Sequence, residues 1–464
     1  MDFLKELALP QSLEHYKLVI LLATISAVVF VPYISYVLGS SVLSLWYNRK
    51  GRERHNATQL RFARILVDLA LYNKSLVTFL GIIPALSLVF SYAQILQASP
   101  SIAVGLAGFG FLFVLAGLIL LYAYKYTFRV QELLESYQGM IKKHKSVDAV
   151  VEDVNEYQRS NTNAHMRTGR YGLSFLTAGV VLYSAAYCAG SGPTHWSDID
   201  SLLSLFLSAD VWIKMLTVAA LTFGTTGIGV QYFILIWKGK QFDSDDDLVA
   251  LVMNVGRRWT IVSLLLTPAF LLAAVALLSG SSASGSVYGL AGLSLLFFFV
   301  AAHFVYGYHK SGEVVSLAYA LFTFLLGVAL TTVNDYVAVG NSTKAHAASL
   351  AFVHEKELDD LRLRLGVGLL VLSGEDIYNA KCSACHLYDQ KKVGPPYFET
   401  IPKYAARKAD LVAFVLNPQK INPAYPPMPN QGLKASEADS IAVYLMRKVA
   451  EAGKMKLETP TSAK

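Results

Sequence analysis

Residues 19–45 read VILLATISAVVFVPYISYVLGSSVLSL, and no charged side chain stands between Lys17 and Arg49. A helix crossing a bilayer needs roughly 20 apolar residues at 1.5 Å rise each. This run is long enough, and it is too long for the apolar core of a cleavable leader. Residues 1–16 are mixed and carry acids, unlike the basic start of such a leader. Seven further segments qualify, giving expected spans at about 17–46, 75–97, 102–124, 171–190, 210–237, 258–279, 286–308 and 314–335. The whole chain agrees: 464 residues are 54% hydrophobic and 16% charged, with mean hydropathy +0.42. Those values exclude an ordinary soluble globular domain. The net charge of +7 would suggest acidic partners for a soluble protein. Here the bases sit in loops, so a nucleic-acid partner is not expected.

The distribution of those bases orients the spans. Loop 47–74 carries seven Lys/Arg, loop 125–170 eight (Lys142, Lys143 and Lys145 among them), loop 238–258 four, and the turn 309–313 Lys310. The alternate connections, about 98–101, 191–209 and 280–285, carry none. Twenty against zero makes the basic loops cytoplasmic and both termini periplasmic, as expected for a bacterial inner-membrane protein.

The membrane part, residues 1–338, also repeats. Gly105-Leu106-Ala107-Gly108 recurs as Gly289-Leu290-Ala291-Gly292. At the same offset Pro84 meets Pro268, Leu112-Phe113 meets Leu296-Phe297, and Tyr122 and Tyr124 meet Tyr306 and Tyr308. A fixed offset over two helices and their loop points to duplication. The expected fold is all-α: eight transmembrane helices as two duplicated four-helix bundles (about 1–190 and 200–338), followed by a small periplasmic all-α domain.

Residues 339–372 read as a connector whose charged segment 344–366 is a candidate helix. From 373 to 451 the composition is that of a small soluble domain, and 452–464 read as a disordered tail. That domain contains Cys382-Ser383-Ala384-Cys385-His386. Two thiols at this spacing can each form a thioether to one haem vinyl group, with the adjacent imidazole beneath the iron. Covalent haem attachment occurs on the outer face of the bacterial inner membrane, where the loop charges independently put this domain. A zinc or dithiol reading of CxxC lacks further ligands and leaves His386 without a role. Cys188 has no partner cysteine and reads as a small buried residue.

Ser373 is placed to cap a helix carrying Tyr378 and delivering CxxCH at its end. Gly394-Pro395-Pro396 and Asn422-Pro423-Ala424-Tyr425-Pro426-Pro427-Met428-Pro429 follow. A last amphipathic helix, 436–450, is expected to be capped by Ser436 with Asp439. Prolines flank Met428 and restrict its loop; Met446 and Met455 are placed on a packing face and in the tail. The alternative for Met428 is a loop methionine packed under Tyr425.

This order over 373–450 resembles class I cytochrome c. The resemblance implies one covalent haem c on Cys382 and Cys385, His386 as proximal iron ligand, and Met428 as distal ligand. It also implies that the Pro395 carbonyl accepts the His386 Nδ1 proton. A neutral thioether ligand favours ferrous iron and raises the potential.

The membrane part gives less. His303 is the histidine read inside a span, and hydrogen bonding across helices is its plainest reading; haem or quinone binding is the functional one. His309 stands at the end of that helix and His15 at the mouth of the first. No His pair suits a bis-histidine haem b, so haem b is possible but lacks paired ligands. Lys214 is expected to reach the interface. Asp68 and Asp335, at span ends, and His195, His346 and His354 are expected to be solvated. Phe30-Val31-Pro32 and the duplicated bundles loosely resemble the membrane subunits of cytochrome bd-type oxygen reductases. The histidine that family carries before Phe-Val-Pro would fall near Ala27, and the third-helix glutamates are missing. The resemblance therefore implies scaffold ancestry and a respiratory setting.

The expectation is an electron-transfer subunit whose helices dock other respiratory-complex subunits and perform no catalysis of their own, with a periplasmic electron carrier as partner and quinol as a possible one. Two alternatives stay open. One is a bd-like quinol-oxidising or oxygen-reducing subunit using His15, His303, Met215 or Met253 as ligands. The other is a non-redox anchor or transporter with a haem sensor.

Overall fold

The run at 19–45 lies inside one long helix, α1 (Leu13–Glu53), opened by Ser12, whose hydroxyl accepts the His15 N–H at 3.2 Å. The structure is a computed structural model describing residues 11–144, 148–239, 245–365, 373–405 and 407–453, without side chains at 132, 135–155 and 202. Lys145, Lys240, the connector's 366–372 and the tail from 454 lie outside the described residues, as do 1–10.

Among the described residues, eight helices are long and apolar enough to cross a membrane. They are α1, α3 (Lys74–Ile95), α4 (Ala103–His144), α5 (Asp148–Gly190), α8 (Ala209–Trp237), α9 (Asp246–Ala276), α10 (Gly285–Ser311) and α11 (Val314–Ser342). Between them come α2 (Ala57–Ala70) and two short helices, α6 (Pro193–Asp198) and α7 (Leu202–Leu207). The chain is a multi-pass membrane protein, all-α among the described residues.

The basic connections are the main departure from the expected plan. Residues 125–144 and 148–170 are helix and not loop: α4 runs on to His144 and α5 begins at Asp148. That stretch has no proline, and its straight-chain residues favour helix, so nothing stops the backbone at the bilayer edge. In the same way α1 continues to Glu53, and the apolar face of α2 buries Phe62, Leu66 and Leu69.

Helices pair in sequence order: α4 with α5, α8 with α9, α10 with α11, and α1 with both α2 and α3, while α1 also crosses α8 and α11. Lipid removes most hydrophobic drive between helices, so close packing and internal hydrogen bonds must supply the contact. Gly117 shows how: a Cβ there would lie 2.7 Å from the Leu176 backbone nitrogen, so α4 and α5 approach backbone to backbone. At the far end of the same pair, His165 is fully buried between the rings of Tyr124 (4.4 Å) and Phe128 (4.3 Å). Its Nδ1 meets the Thr127 hydroxyl at 2.6 Å and its Nε2 the Asn48 amide at 2.9 Å. The Thr127 hydroxyl donates to the Tyr124 carbonyl, so His165 Nδ1 carries the proton and Nε2 accepts. This histidine was invisible as long as 125–170 read as loop.

The chain divides into two compact units, 1–355 and 356–464. Helix α12 (Lys344–Arg364) covers the charged connector segment. The second unit contains α13 (Gly374–Ile377), α14 (Tyr397–Thr400), α15 (Lys408–Leu416) and α16 (Ala435–Glu451) around a separate core.

Candidate functional site

In the C-terminal unit, Ser373 opens α13 by accepting the Asp376 N–H at 3.1 Å, while the Asp376 carboxylate accepts the Ser373 N–H at 3.2 Å. Past Ile377 the helix widens into a π-turn, Tyr378–Cys382, that ends at the first thiol. A Cβ on Gly374 would lie 2.4 Å from the Ser440 carbonyl oxygen, so only glycine lets α13 cross α16 this closely. Ile377 and Tyr378 meet Ile441 and Leu445 in one core with Cys382. That crossing fixes where the motif begins. Helix α16 itself starts one residue before the expected position. Its cap is Lys434, whose N–H donates to Glu437 at 2.9 Å, and Asp439 pairs instead with Lys408 at 2.8 Å. Glutamate reaches back to the cap from the third helical position, which leaves Asp439 free to bridge to α15.

The motif closes on itself. The N–H groups of Cys385 and His386 donate to the Cys382 carbonyl at 3.1 and 2.9 Å, and those of Val393 and Gly394 return to the Cys385 carbonyl. This fold-back sets the Pro395 carbonyl 2.9 Å from His386 Nδ1. A carbonyl only accepts, so Nδ1 carries the proton and Nε2 keeps its lone pair. Gly394 lies against the ring: a Cβ there would be 2.2 Å from His386 Cε1. Cys382 is buried and Cys385 half-buried, and neither is in a disulfide. Burial pushes the Cys382 thiol pKa up, opposed by a hydrogen bond to Tyr397.

Beside these groups lies a cavity of about 1290 Å³ open to solvent, lined by Cys382, His386, Pro395 and Met428 with apolar walls from Leu411, Ile441 and Leu445. A smaller cavity of about 480 Å³ is lined by Cys382, Cys385, His386 and Met428. Met428 is half-buried while Pro426, Pro427 and Pro429 around it are exposed. All five residues singled out in the sequence border the smaller cavity, and all but Cys385 border the larger one too. The donor set is two thiols, an imidazole with Nε2 unprotonated and a thioether, beside a solvent-open cavity with apolar walls. It fits a covalently held haem c.

In the membrane unit several expectations are corrected. Lys214 is paired within the unit: its Nζ bonds Asp335 Oδ2 and lies 4.1 Å from the centre of the Tyr187 ring. Asp335 is therefore not simply solvated, and neither is Asp68, which lies 3.5 Å from Arg64 and 3.7 Å from Lys125. In low dielectric an unpaired charge is costly, so each finds a partner. His195 bonds Asp210 at 3.1 Å, and half-buried His346 meets Trp196 edge-on at 4.8 Å. Burial lowers the His346 pKa. His303 makes no cross-helix bond among the described residues: it is exposed on α10, with Phe304 as its ring neighbour. Met253 accepts the Tyr308 hydroxyl at 2.9 Å, and Met215 packs on the core. His15 is exposed, and Cys188 is buried as expected.

Comparison with known proteins agrees with this geometry. Residues 370–445 match the family described as Cytochrome C oxidase, cbb3-type, subunit III. Over 79 residues the chain is 35% identical to cytochrome c-551 of Pseudomonas denitrificans, covering 95% of that protein and 16% of this one. No solved structure matches. The similarity to bd-type oxygen reductases finds no support in these comparisons. Through this C-terminal domain, of a kind that binds covalent haem c and carries electrons, the chain belongs to the cytochrome c family.

Proposed function

We propose that the protein is the membrane-anchored c-type cytochrome subunit of a respiratory electron-transfer complex, relaying single electrons between that complex and a periplasmic carrier. The observation that carries this reading is the His386 imidazole, tied through Nδ1 to the Pro395 carbonyl and bordering a cavity that Met428 also lines. When bound, one haem c would supply the one-electron redox change; the chain's residues position it. Cys382 and Cys385 attach it. His386 and Met428 hold the iron, and Pro395 fixes the imidazole's tautomer and orientation. Apolar Leu411, Ile441 and Leu445 line the cavity and would give a bound haem apolar contact, which with a thioether ligand would favour the ferrous state.

The 20-to-0 asymmetry of Lys/Arg supports a bacterial inner-membrane protein with both termini and the haem domain periplasmic. The recurrence of neighbour pairing in the second four spans supports two duplicated bundles. Spans α9 and α10 are the least buried in the chain and supply surface for other subunits of the complex. The family name of the matched cbb3-type subunit agrees with such a setting. Purified protein should show the difference spectrum of a c-type cytochrome on dithionite reduction and re-oxidise with a soluble periplasmic electron acceptor. A haem spectrum without electron exchange would overturn the relay, and oxygen reduction by this chain alone would favour an oxidase instead.

A further inference from the structure

The membrane unit holds a second candidate site, independent of the haem. Two cavities share Tyr187, Lys214 and Asp335. The outer, about 700 Å³, reaches His195 and Asp210 at its mouth and Leu271, Val275 and Leu278 along one wall. The inner, about 560 Å³, is bordered by Phe30, Tyr92, Tyr183 and Tyr336. Lys214 lies five residues into α8 and Asp335 seven residues before the end of α11. At 1.5 Å per residue both are about 8–10 Å inside their helices.

Among the described residues, one buried side-chain polar atom lining the outer cavity has no hydrogen-bond partner. Asn334 is 4% exposed and lines the outer cavity, and its Oδ1 is buried without a hydrogen bond. Leaving such an atom unsatisfied costs about 1–3 kcal/mol, and next to it stands a lysine–carboxylate pair inside the membrane. Ionisable groups in that position mark ligand or proton sites by default.

The ligand's chemistry follows from what the wall offers. Asn334 Oδ1 requires a hydrogen-bond donor. Asp335, already held by Lys214 and by the Tyr187 hydroxyl at 3.3 Å, keeps lone pairs that can accept more, and the Lys214 ammonium keeps N–H groups that can donate. Tyr187 lines both cavities with the Lys214 ammonium over its ring, and the α9 wall is apolar. A phosphate or other anion would meet the carboxylates of Asp335 and Asp210, and a metal cation would meet Lys214. A neutral aromatic diol with an apolar tail satisfies every group. We propose that this double cavity binds the headgroup of a quinol, with its hydroxyls on Asn334, Asp335 and Lys214 and its tail leaving along α9.

The test is equilibrium dialysis of the full chain in nanodiscs against decylubiquinol, with decanol as a tail-only control. Wild type should bind the quinol and not the alcohol. Asn334→Leu should weaken binding on the order of tenfold, the loss of one buried hydrogen bond. It removes an atom with no hydrogen-bond partner among the described residues, so its melting temperature should not fall. Asp335→Asn should weaken binding at least as much, and the haem spectrum should be unchanged in both. Equal retention of quinol and decanol, or wild-type affinity in a folded Asn334→Leu protein, would overturn the proposal. Because dialysis does not read the haem, either result is separable from the fate of the electron-relay reading.

Discussion

The haem domain and the membrane platform place their chemistry differently. In the domain, the two thiols and the imidazole fall within five consecutive residues, Cys382 to His386. In the platform, Lys214 finds Asp335 across 121 positions, and His165 finds Asn48 across 117. Covalent attachment demands fixed spacing, so it leaves a local signature. An ion pair or hydrogen bond in a membrane demands only that a charge or polar atom be satisfied, and any span can supply the partner.

The contrast can be broken first at its local end. Replacing Cys382 and Cys385 together by serine should abolish covalent haem, read as loss of in-gel haem staining with the chain still present in the membrane. Retained stain would mean attachment elsewhere. Met428→His should then keep the haem but lower its midpoint potential by roughly 0.1–0.3 V, since axial ligands set potentials over a range of about 0.8 V. An unchanged potential in a redox titration would remove Met428 from the iron.

At the distant end, Lys214→Met leaves the Asp335 carboxylate unpaired and should destabilise the membrane unit by about 3 kcal/mol in a detergent melt. Lys214→Met with Asp335→Leu should recover most of that loss. Failure of the double variant to recover would show that the pair does more than neutralise itself. Gly394→Ala is a milder change: its methyl group must push the His386 ring aside, which should cost about 1–3 kcal/mol and broaden the haem Soret band.

The smallest effect concerns pH. Burial lowers the His346 pKa from the ordinary 6.5. The unfolded chain therefore binds this proton first as pH falls. The histidine's contribution is complete above pH 6.5 and is lost as pH drops through the folded-state pKa. His346→Phe should flatten the decline of melting temperature between pH 7 and 5, and an unaltered slope would assign that decline to other groups.

Much of the fold could be read from the sequence, because a span announces itself by about 20 uncharged residues. The eight spans are where the apolar runs are. What was missed lies where helix continues without apolarity. The stretch 125–170 is too polar to be a span, yet without proline it has no reason to stop being helix, and so His165 and its partners stayed hidden. The haem-domain residues were legible for the opposite reason. Ser373 caps its helix within three residues, and Pro395 bonds His386 across nine. The Asn334 site had no such signal, since an unpaired amide is a property of its surroundings and not of its neighbours in sequence.

The most direct measurement is the pyridine haemochrome spectrum of the purified full-length chain, paired with haem staining after denaturing electrophoresis. The account predicts one c-type haem per chain that stays with the polypeptide. A chain without haem, or one whose haem is released on denaturation, would contradict it.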